Sequence, residues 1–243
     1  IVDAVVSLTG FSLVGGPAYN DTDAAQEMLE ALDVPYLAVQ GLEFQSLQDW
    51  ESSSMGLMPV EATMMVAIPE LDGATGSMVF GGRSELSAGE KFDMQPAPER
   101  IDRLADRVAR LVALRHTPIA ERKVAIVLFN FPPNSGAAGT AAHLSVFESL
   151  FNTLSAMREE GYHVDLPDSH AELRDAILKG NAKQFGAEAN VFQRVPVDDH
   201  VRAEPWLAEI EAQWGPAPGK EWTDGQHLFV LGESFGNVLV GIQ

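Results

Sequence analysis

The sequence predicts an α/β protein with helices layered on mainly parallel sheets. Short apolar strand patterns alternate with helix-period segments along the whole chain. Loops rich in glycine and proline separate them. A strand feeding a glycine loop and then a helix opens the chain, and the same order restarts at Lys123. Two Rossmann-like or flavodoxin-like units are therefore expected. Residues 1–118 read as the C-terminal part of an incomplete α/β unit. Residues 119–243 read as a second unit, with an irregular Trp-rich region at 181–225.

The first unit begins with a buried-strand pattern from Val2 to Leu8, and Gly10, Gly15, Gly16 and Pro17 punctuate the loop after it. Asp21 or Thr22 is placed to cap a helix carrying Ala25, Met28, Leu29 and Leu32 on one face. A short strand follows at Tyr36–Val39. An apolar segment from Val60 to Ile68 is ended by Pro69, and a third strand at Ser77–Phe80 is closed by Gly81-Gly82. The clearest helix runs from Glu99 to Leu114. Ile101, Leu104, Val108, Leu111 and Val112 form its apolar face, and Arg100, Arg103, Arg107 and Arg110 a basic stripe. That stripe is either a solvated face, ion-paired with Asp102 and Asp106, or a receiver for carboxylates and acidic partners. His116–Ala120, with Pro118, reads as a linker.

In the second unit, Lys123–Phe131 is a strongly apolar strand, and a long helix reaches about Glu160. Leu144, Phe147, Leu150, Phe151, Leu154 and Met157 line that helix's apolar face, and Gly161 stops it. A short strand is expected at Tyr162–Leu166, then a helix from about 170 to 180 capped by Ser169. His227–Leu231 and Val238–Ile242 form a strand pair around a Gly232–Asn237 loop.

Composition excludes several functions. The 243 residues hold 35 Asp and Glu against 16 Lys and Arg, a formal net charge of −19. Such a charge repels phosphate backbones and disfavours a general nucleic-acid role. With no cysteine there is no disulfide, thiolate metal site or Cys nucleophile. No apolar run approaches the roughly 20 residues needed to span a bilayer. The chain opens on Ile1 inside an apolar run and stops on Gln243 in mid-strand, so it reads as an excised piece of something longer.

Candidate chemistry centres on two places. The Asn130–Thr140 loop feeds a helix N-terminus, where free backbone N–H groups face an anion; Ser135 and Thr140 add hydroxyls, and Gly136 and Gly139 allow close approach. It lacks the lysine of a Walker loop and the spacing of a dinucleotide fingerprint. His143, beside that loop, is the histidine best placed to line a cleft. The histidines show no metal-ligand spacing, so the metal-ligating residues are left unassigned. His163 and Asp165 alternate onto one strand face and can pair. The second place is Glu211, with Glu209 close by, just before Trp214-Gly215-Pro216, where a carboxylate beside an aromatic and a rigid turn can serve as a base or stand as one more surface acid.

Three blocks carry a resemblance. They are Asp3–Pro17; Lys123–Pro133 with Gly139-Thr140-Ala141-Ala142 and Gly161–Pro167; and Trp214–Gly219 with Asp224-Gly225 and Phe235–Gln243. Pro69-Glu70-Leu71-Asp72-Gly73 lies between the first two. In this order they resemble the porphyrin-binding large subunit of magnesium chelatase, a relative of the cobalt chelatase large subunit. The likeness covers nearly the whole chain and leans to the magnesium branch.

The resemblance implies binding of protoporphyrin IX and insertion of Mg²⁺, as substrate, at the first committed step toward chlorophyll or bacteriochlorophyll. It implies a separate AAA+ ATPase motor that hydrolyses ATP, and the remainder of the chain's own subunit as a further partner. No tightly bound cofactor is expected in the segment, and no turnover from it alone. The location implied is bacterial cytoplasm, or plastid stroma in a phototrophic eukaryote. Glu211, carried over by position, and His143, taken for its place beside the glycine loop, are the expected catalytic groups; His143 stands where plant and cyanobacterial relatives have Tyr, which weakens it as a catalyst. Asn130, Ser135, Gly136, Gly139, Thr140 and Trp214 are the expected substrate-binding residues. The rival readings are a non-catalytic scaffold that docks the motor, a cobalt-type subunit of cobalamin synthesis, and a two-lobed ligand binder outside the family.

Overall fold

Residues 2–16, 18–84, 93–129 and 144–242 are described by a computed structural model, and the chain divides into two units between His116 and Thr117.

In the first unit, β1 (Val5–Ser7) leads through the glycine loop to α1 (Thr22–Leu32). Asp21 caps α1 by accepting the Ala24 N–H at 3.1 Å. Only Ala25 of the expected stripe is fully buried, and Leu29 packs on Tyr36, Ala38 and Ala74; Met28 and Leu32 stay exposed. β2 (Tyr36–Ser46) is much longer than the short strand expected. Its first five residues are all buried, as befits a central strand with a parallel neighbour on each side.

Ser46 caps α2 (Leu47–Ser52). Next come α3 (Pro59–Glu61), a wide π-helical turn over Ala62–Ala67, and α4 (Ile68–Leu71). Pro69 thus sits inside helical chain rather than ending it, because the register change over the π turn absorbs the missing N–H.

β3 (Met78–Ser84) likewise runs through Gly81-Gly82 instead of closing there. A Cβ at Gly81 would lie 2.4 Å from the Gln95 carbonyl oxygen, and one at Gly82 2.6 Å from Leu42 Cβ, so these glycines permit close strand approach. β4 (Asp93–Pro96) adds an antiparallel edge and gives the order β1-β2-β3-β4. α5 (Pro98–His116) completes the unit, with its apolar face only partly covered and none of its residues fully buried.

The second unit builds on β5 (Val124–Leu128), α6 (Val146–Glu159) and α7 (His170–Leu178). Leu150 and Leu154 of α6 meet Leu173 and Ile177 of α7 over Leu128, Val238 and Val240 in one core. Ser169 caps α7, as expected. Tyr162–Leu166 joins no ladder; it is an extended connection that buries Val164 and offers the His163 carbonyl to the Asn237 N–H.

The region expected to be irregular is largely regular. It holds α8 (Ala182–Phe185), β6 (Val191–Pro196), α9 (Val197–Ala203) and α10 (Leu207–Trp214). β7 (His227–Phe235) then turns tightly at Gly236-Asn237 into β8 (Val238–Ile242). The sheet order is β5-β8-β7-β6.

The α/β architecture matches the sequence reading. The parallel character holds in the first sheet, whereas the second pairs only β5 with β8 in parallel and is mixed. The β7–β8 hairpin causes this, since a two-residue turn can only join antiparallel neighbours.

Asn190 ties the second unit together. Its side chain accepts the Asn181 N–H at 2.9 Å and donates to the Gly232 carbonyl at 2.7 Å and to Glu233 at 3.0 Å. Its backbone N–H reaches Ile177 at the end of α7. Replacing Asn190 by Ala leaves several buried partners unsatisfied, and a loss of roughly 3 kcal/mol is expected. Urea unfolding of the chain checks it; a loss below about 0.5 kcal/mol would contradict this role.

Candidate functional site

In open α/β sheets, ligands bind outside the carboxyl ends of the parallel strands. In the second unit those are the ends of β5 and β8, where Leu128 pairs with Ile242. β7 runs the opposite way and lies beside β8 with Gly232 opposite Gly241, so its first residues extend past that level. β6 follows β7 there, from Val191 opposite Leu231 to Pro196 opposite His227. The pairing brings Arg194 on β6, distant in sequence, up to His227 at the start of β7 and Asp224 in the turn before it.

Asp224 is the hub of this cluster. Its Oδ1 accepts the backbone N–H of Gln226 at 2.9 Å and of His227 at 2.7 Å, and its Oδ2 is paired with the Arg194 guanidinium. His227 Nδ1 lies 2.8 Å from Arg194 Nη2 and 3.2 Å from each Asp224 oxygen. The Gln226 N–H above all, then the His227 N–H and the Arg194 and His227 side chains, hold the Asp224 carboxyl well below its ordinary 3.8 against desolvation. The guanidinium also covers the Phe185 ring, 5.3 Å from its centroid.

Beside the cluster is a cleft of about 280 Å³. Phe185, Trp222 and Phe229 supply its aromatic walls, and Glu188, Lys220 and Glu221 its polar lining. Phe185 meets Phe229 edge-on at 5.6 Å. Trp222 holds a left-handed backbone at φ 56, and its carbonyl takes the Phe229 N–H at 2.7 Å. Thr223 lines the cleft as well, and its hydroxyl donates to the His227 carbonyl at 2.7 Å, linking cleft and cluster.

Of the expected site residues, Glu211 and Trp214 are described, both on α10. Glu211 Oε1 accepts the Ala217 N–H at 3.0 Å and so braces the turn after the helix; Trp214 is 78% exposed. Asn130, Ser135, Gly136, Gly139, Thr140 and His143 lie outside the described residues. His163 and Asp165 pair at 3.7 Å on an exposed edge.

The arginine stripe is largely engaged within its own unit. Arg100 lies over Trp50, Arg103 pairs with Glu99, and Arg107 donates to the Gly76 carbonyl. The ion-pair partner is Glu99 rather than Asp102 or Asp106, neither of which forms an ion pair among the described residues. Glu99 serves because it stands one turn before Arg103. Among the described residues, no cluster of three or more acids and histidines is arranged to hold a metal, and no helix is long and apolar enough to cross a membrane.

Sequence reasoning missed Arg194 and Trp222 as site residues, and named His227 only as the start of a strand and as one of six histidines. The β-branched and aromatic residues Val191, Phe192 and Val195 were the available signal for β6.

Residues 1–243 match the family model described as CobN/Magnesium Chelatase. The chain belongs to this family. It is 53% identical over 256 residues to a magnesium-chelatase subunit of Cereibacter sphaeroides, covering 100% of this chain and 22% of that protein. The chloroplastic magnesium-chelatase subunit ChlH of Oryza sativa subsp. indica is 38% identical over 244 residues, covering 100% of this chain and 17% of the relative. The aerobic cobaltochelatase subunit CobN of Pseudomonas aeruginosa is 33% identical over 254 residues, with 98% and 20% covered. Among solved structures, the catalytic subunit of cobaltochelatase from Mycobacterium tuberculosis superposes with a TM-score of 0.74 at 27% identity, covering 99% of this chain and 21% of that one. As a member of the CobN/magnesium chelatase family, the chain thus spans about a fifth of the length of the relatives it matches.

The Asp224 geometry sets a pH dependence. Its folded carboxyl titrates below the unfolded one, so its stabilisation is complete above the ordinary 3.8 and is lost as pH falls toward the folded value. Asp224→Asn is expected to lower stability at neutral pH and to flatten the acid limb of the stability curve below about pH 4. Urea unfolding at neutral pH and near pH 3 measures both; parallel curves for parent and variant would contradict it.

Proposed function

We propose that the chain forms part of the porphyrin-binding, Mg²⁺-inserting subunit of an ATP-dependent magnesium chelatase of bacteriochlorophyll or chlorophyll synthesis. The whole-chain likeness to magnesium-chelatase subunits carries this reading, with identity higher to the magnesium than to the cobalt relatives. Protoporphyrin IX is the substrate proposed, AAA+ ATPase subunits hydrolyse ATP as partners, and the segment alone has no turnover. Bacterial cytoplasm is the proposed location.

The chemistry available in the second unit suits a planar, apolar macrocycle. Phe185, Trp222 and Phe229 offer ring surfaces for stacking. The cleft, at about 280 Å³, falls just below the roughly 300–1,000 Å³ of sites that enclose a small molecule, so it takes one edge of a tetrapyrrole while the rest lies elsewhere. Mg²⁺ is hard, sheds water reluctantly and prefers oxygen ligands, so carboxylates are the appropriate hosts for the incoming ion. Glu188 and Glu221 line the same cleft. Glu211 keeps its proposed role as a proton or cation acceptor through Oε2, since its Oε1 is engaged by the turn.

Titrating the intact subunit with a soluble deuteroporphyrin, by tryptophan quenching and Soret shift, tests the reading. Saturable binding is expected. Trp222→Leu and Phe185→Leu should each weaken it about tenfold, the equivalent of roughly 1.4 kcal/mol of lost stacking. Glu211→Ala should leave binding intact and slow Mg²⁺ insertion. Unchanged affinity in both aromatic variants, with unchanged melting temperatures, would remove the cleft from the porphyrin site.

A further inference from the structure

We propose that the face of the second sheet opposite α6 and α7 is the docking site of an amphipathic helix from the part of the same subunit outside residues 1–243; this rests on topology and family membership, not on the porphyrin reading.

Successive strand residues point to opposite faces of a sheet. Val124 and Ile126 of β5, with Val238 and Val240 of β8, pack into the core beneath α6 and α7. Their neighbours Ala125, Val127 and Leu239 therefore project from the other face. Ala125 stands opposite Leu239 in the β5–β8 ladder, and Leu239 opposite Ser234 in the β7–β8 hairpin. Phe192 of β6 joins Ala125, Leu239 and Ser234 along a groove of about 500 Å³. Val127 is 66% exposed and Phe192 41%. Of the 35 acidic residues in the chain, none lines this groove, and Lys123 is its one charged group. Such depletion of charge from an apolar patch marks the centre of an interface.

Topology says what covers it. A parallel strand pair is ordinarily buried on both faces, because the crossovers that join parallel strands lay helices there. β5 and β8 are such a pair. α6 and α7 cover one face, and Ala125, Val127, Phe192 and Leu239 belong to no core cluster on the other. β5 is also an edge strand, with β8 its single neighbour among the described residues. Crossovers keep one hand. α6 and α7, in the connection from β5 to β8, occupy the first face. A crossover in the reverse sense, from β8 to a strand on the free edge of β5, must run over the second.

The chain spans about a fifth of the length of the relatives it matches, so most of such a subunit lies outside it and can supply the helix. Apolar residues at i, i+3, i+4 and i+7 would fill the groove. A second copy is the poorer occupant, since it would bring together two segments of net charge −19.

The experiment uses the intact subunit. Phe192 is exchanged for p-benzoylphenylalanine, which keeps an aromatic ring there and crosslinks on irradiation to whatever lies against it. The expected product is an internal crosslink to a peptide of the same subunit from outside residues 1–243, with apolar residues at helical spacing. In parallel, Val127→Cys is labelled with a maleimide, and the peptide carrying residue 127 is followed by mass spectrometry. Labelling should run at least about 100-fold slower in the native subunit than in the same protein unfolded in urea. Val127→Cys is a small change at a surface position, so it keeps the test open if the bulkier replacement at Phe192 fails to fold. A crosslink confined to residues 1–243, a crosslink between two subunits, or none at all overturns the proposal. So does labelling of Val127→Cys within about fivefold of the unfolded rate. None of these outcomes alters saturable porphyrin binding, which stands or falls by its own titration.

Discussion

The second unit depends on one buried amide. Asn190 is 5% exposed, and its side-chain oxygen and nitrogen are both engaged. It joins the end of α7, the start of α8 and the middle of β7, three segments that no continuous ladder connects. Gly232 matches it from the other side. Its backbone holds φ 138, its N–H donates to the Asn190 carbonyl, and a Cβ there would lie 2.1 Å from the Val240 oxygen. Here β6 enters the sheet, with its register shift between Val191 and Gln193. Without that docking, β6 would not deliver Arg194 to Asp224, nor would α8 set Phe185 against Phe229. The stability of the sheet edge and the geometry of the site share one origin.

Legibility followed locality. The helix over Val146–Glu159 showed in the spacing of Leu150, Leu154 and Met157, because a long amphipathic face repeats its signal over four turns. The caps Asp21 and Ser169 were legible for a similar reason, since each acts within three residues. Pro69 and Gly81-Gly82 misled because their local meaning as breakers was overridden by the surrounding packing. A π turn carries the chain into Pro69, and neighbouring strands require glycine at 81 and 82. β6 escaped notice because three tryptophans and several prolines drew 181–225 toward an irregular reading.

The candidate site was the least legible part, and the reason is physical. Arg194, Asp224 and His227 meet only once two antiparallel strands have paired across thirty residues. No spacing rule records such a meeting. Glu211 was visible as a carboxylate before a Trp-Gly-Pro turn, but the sequence did not say that one oxygen would be spent holding that turn.

The internal use of the arginines has a consequence for encounter. Arg100, Arg103, Arg107 and Arg194 are engaged within their own unit, by Trp50, Glu99, the Gly76 carbonyl and Asp224. The potential around the segment is then set by its −19 net charge. A ligand with anionic edges would approach against that potential, and added salt would quicken its arrival by screening it. Capture would rest on apolar contact made at close range, not on long-range attraction.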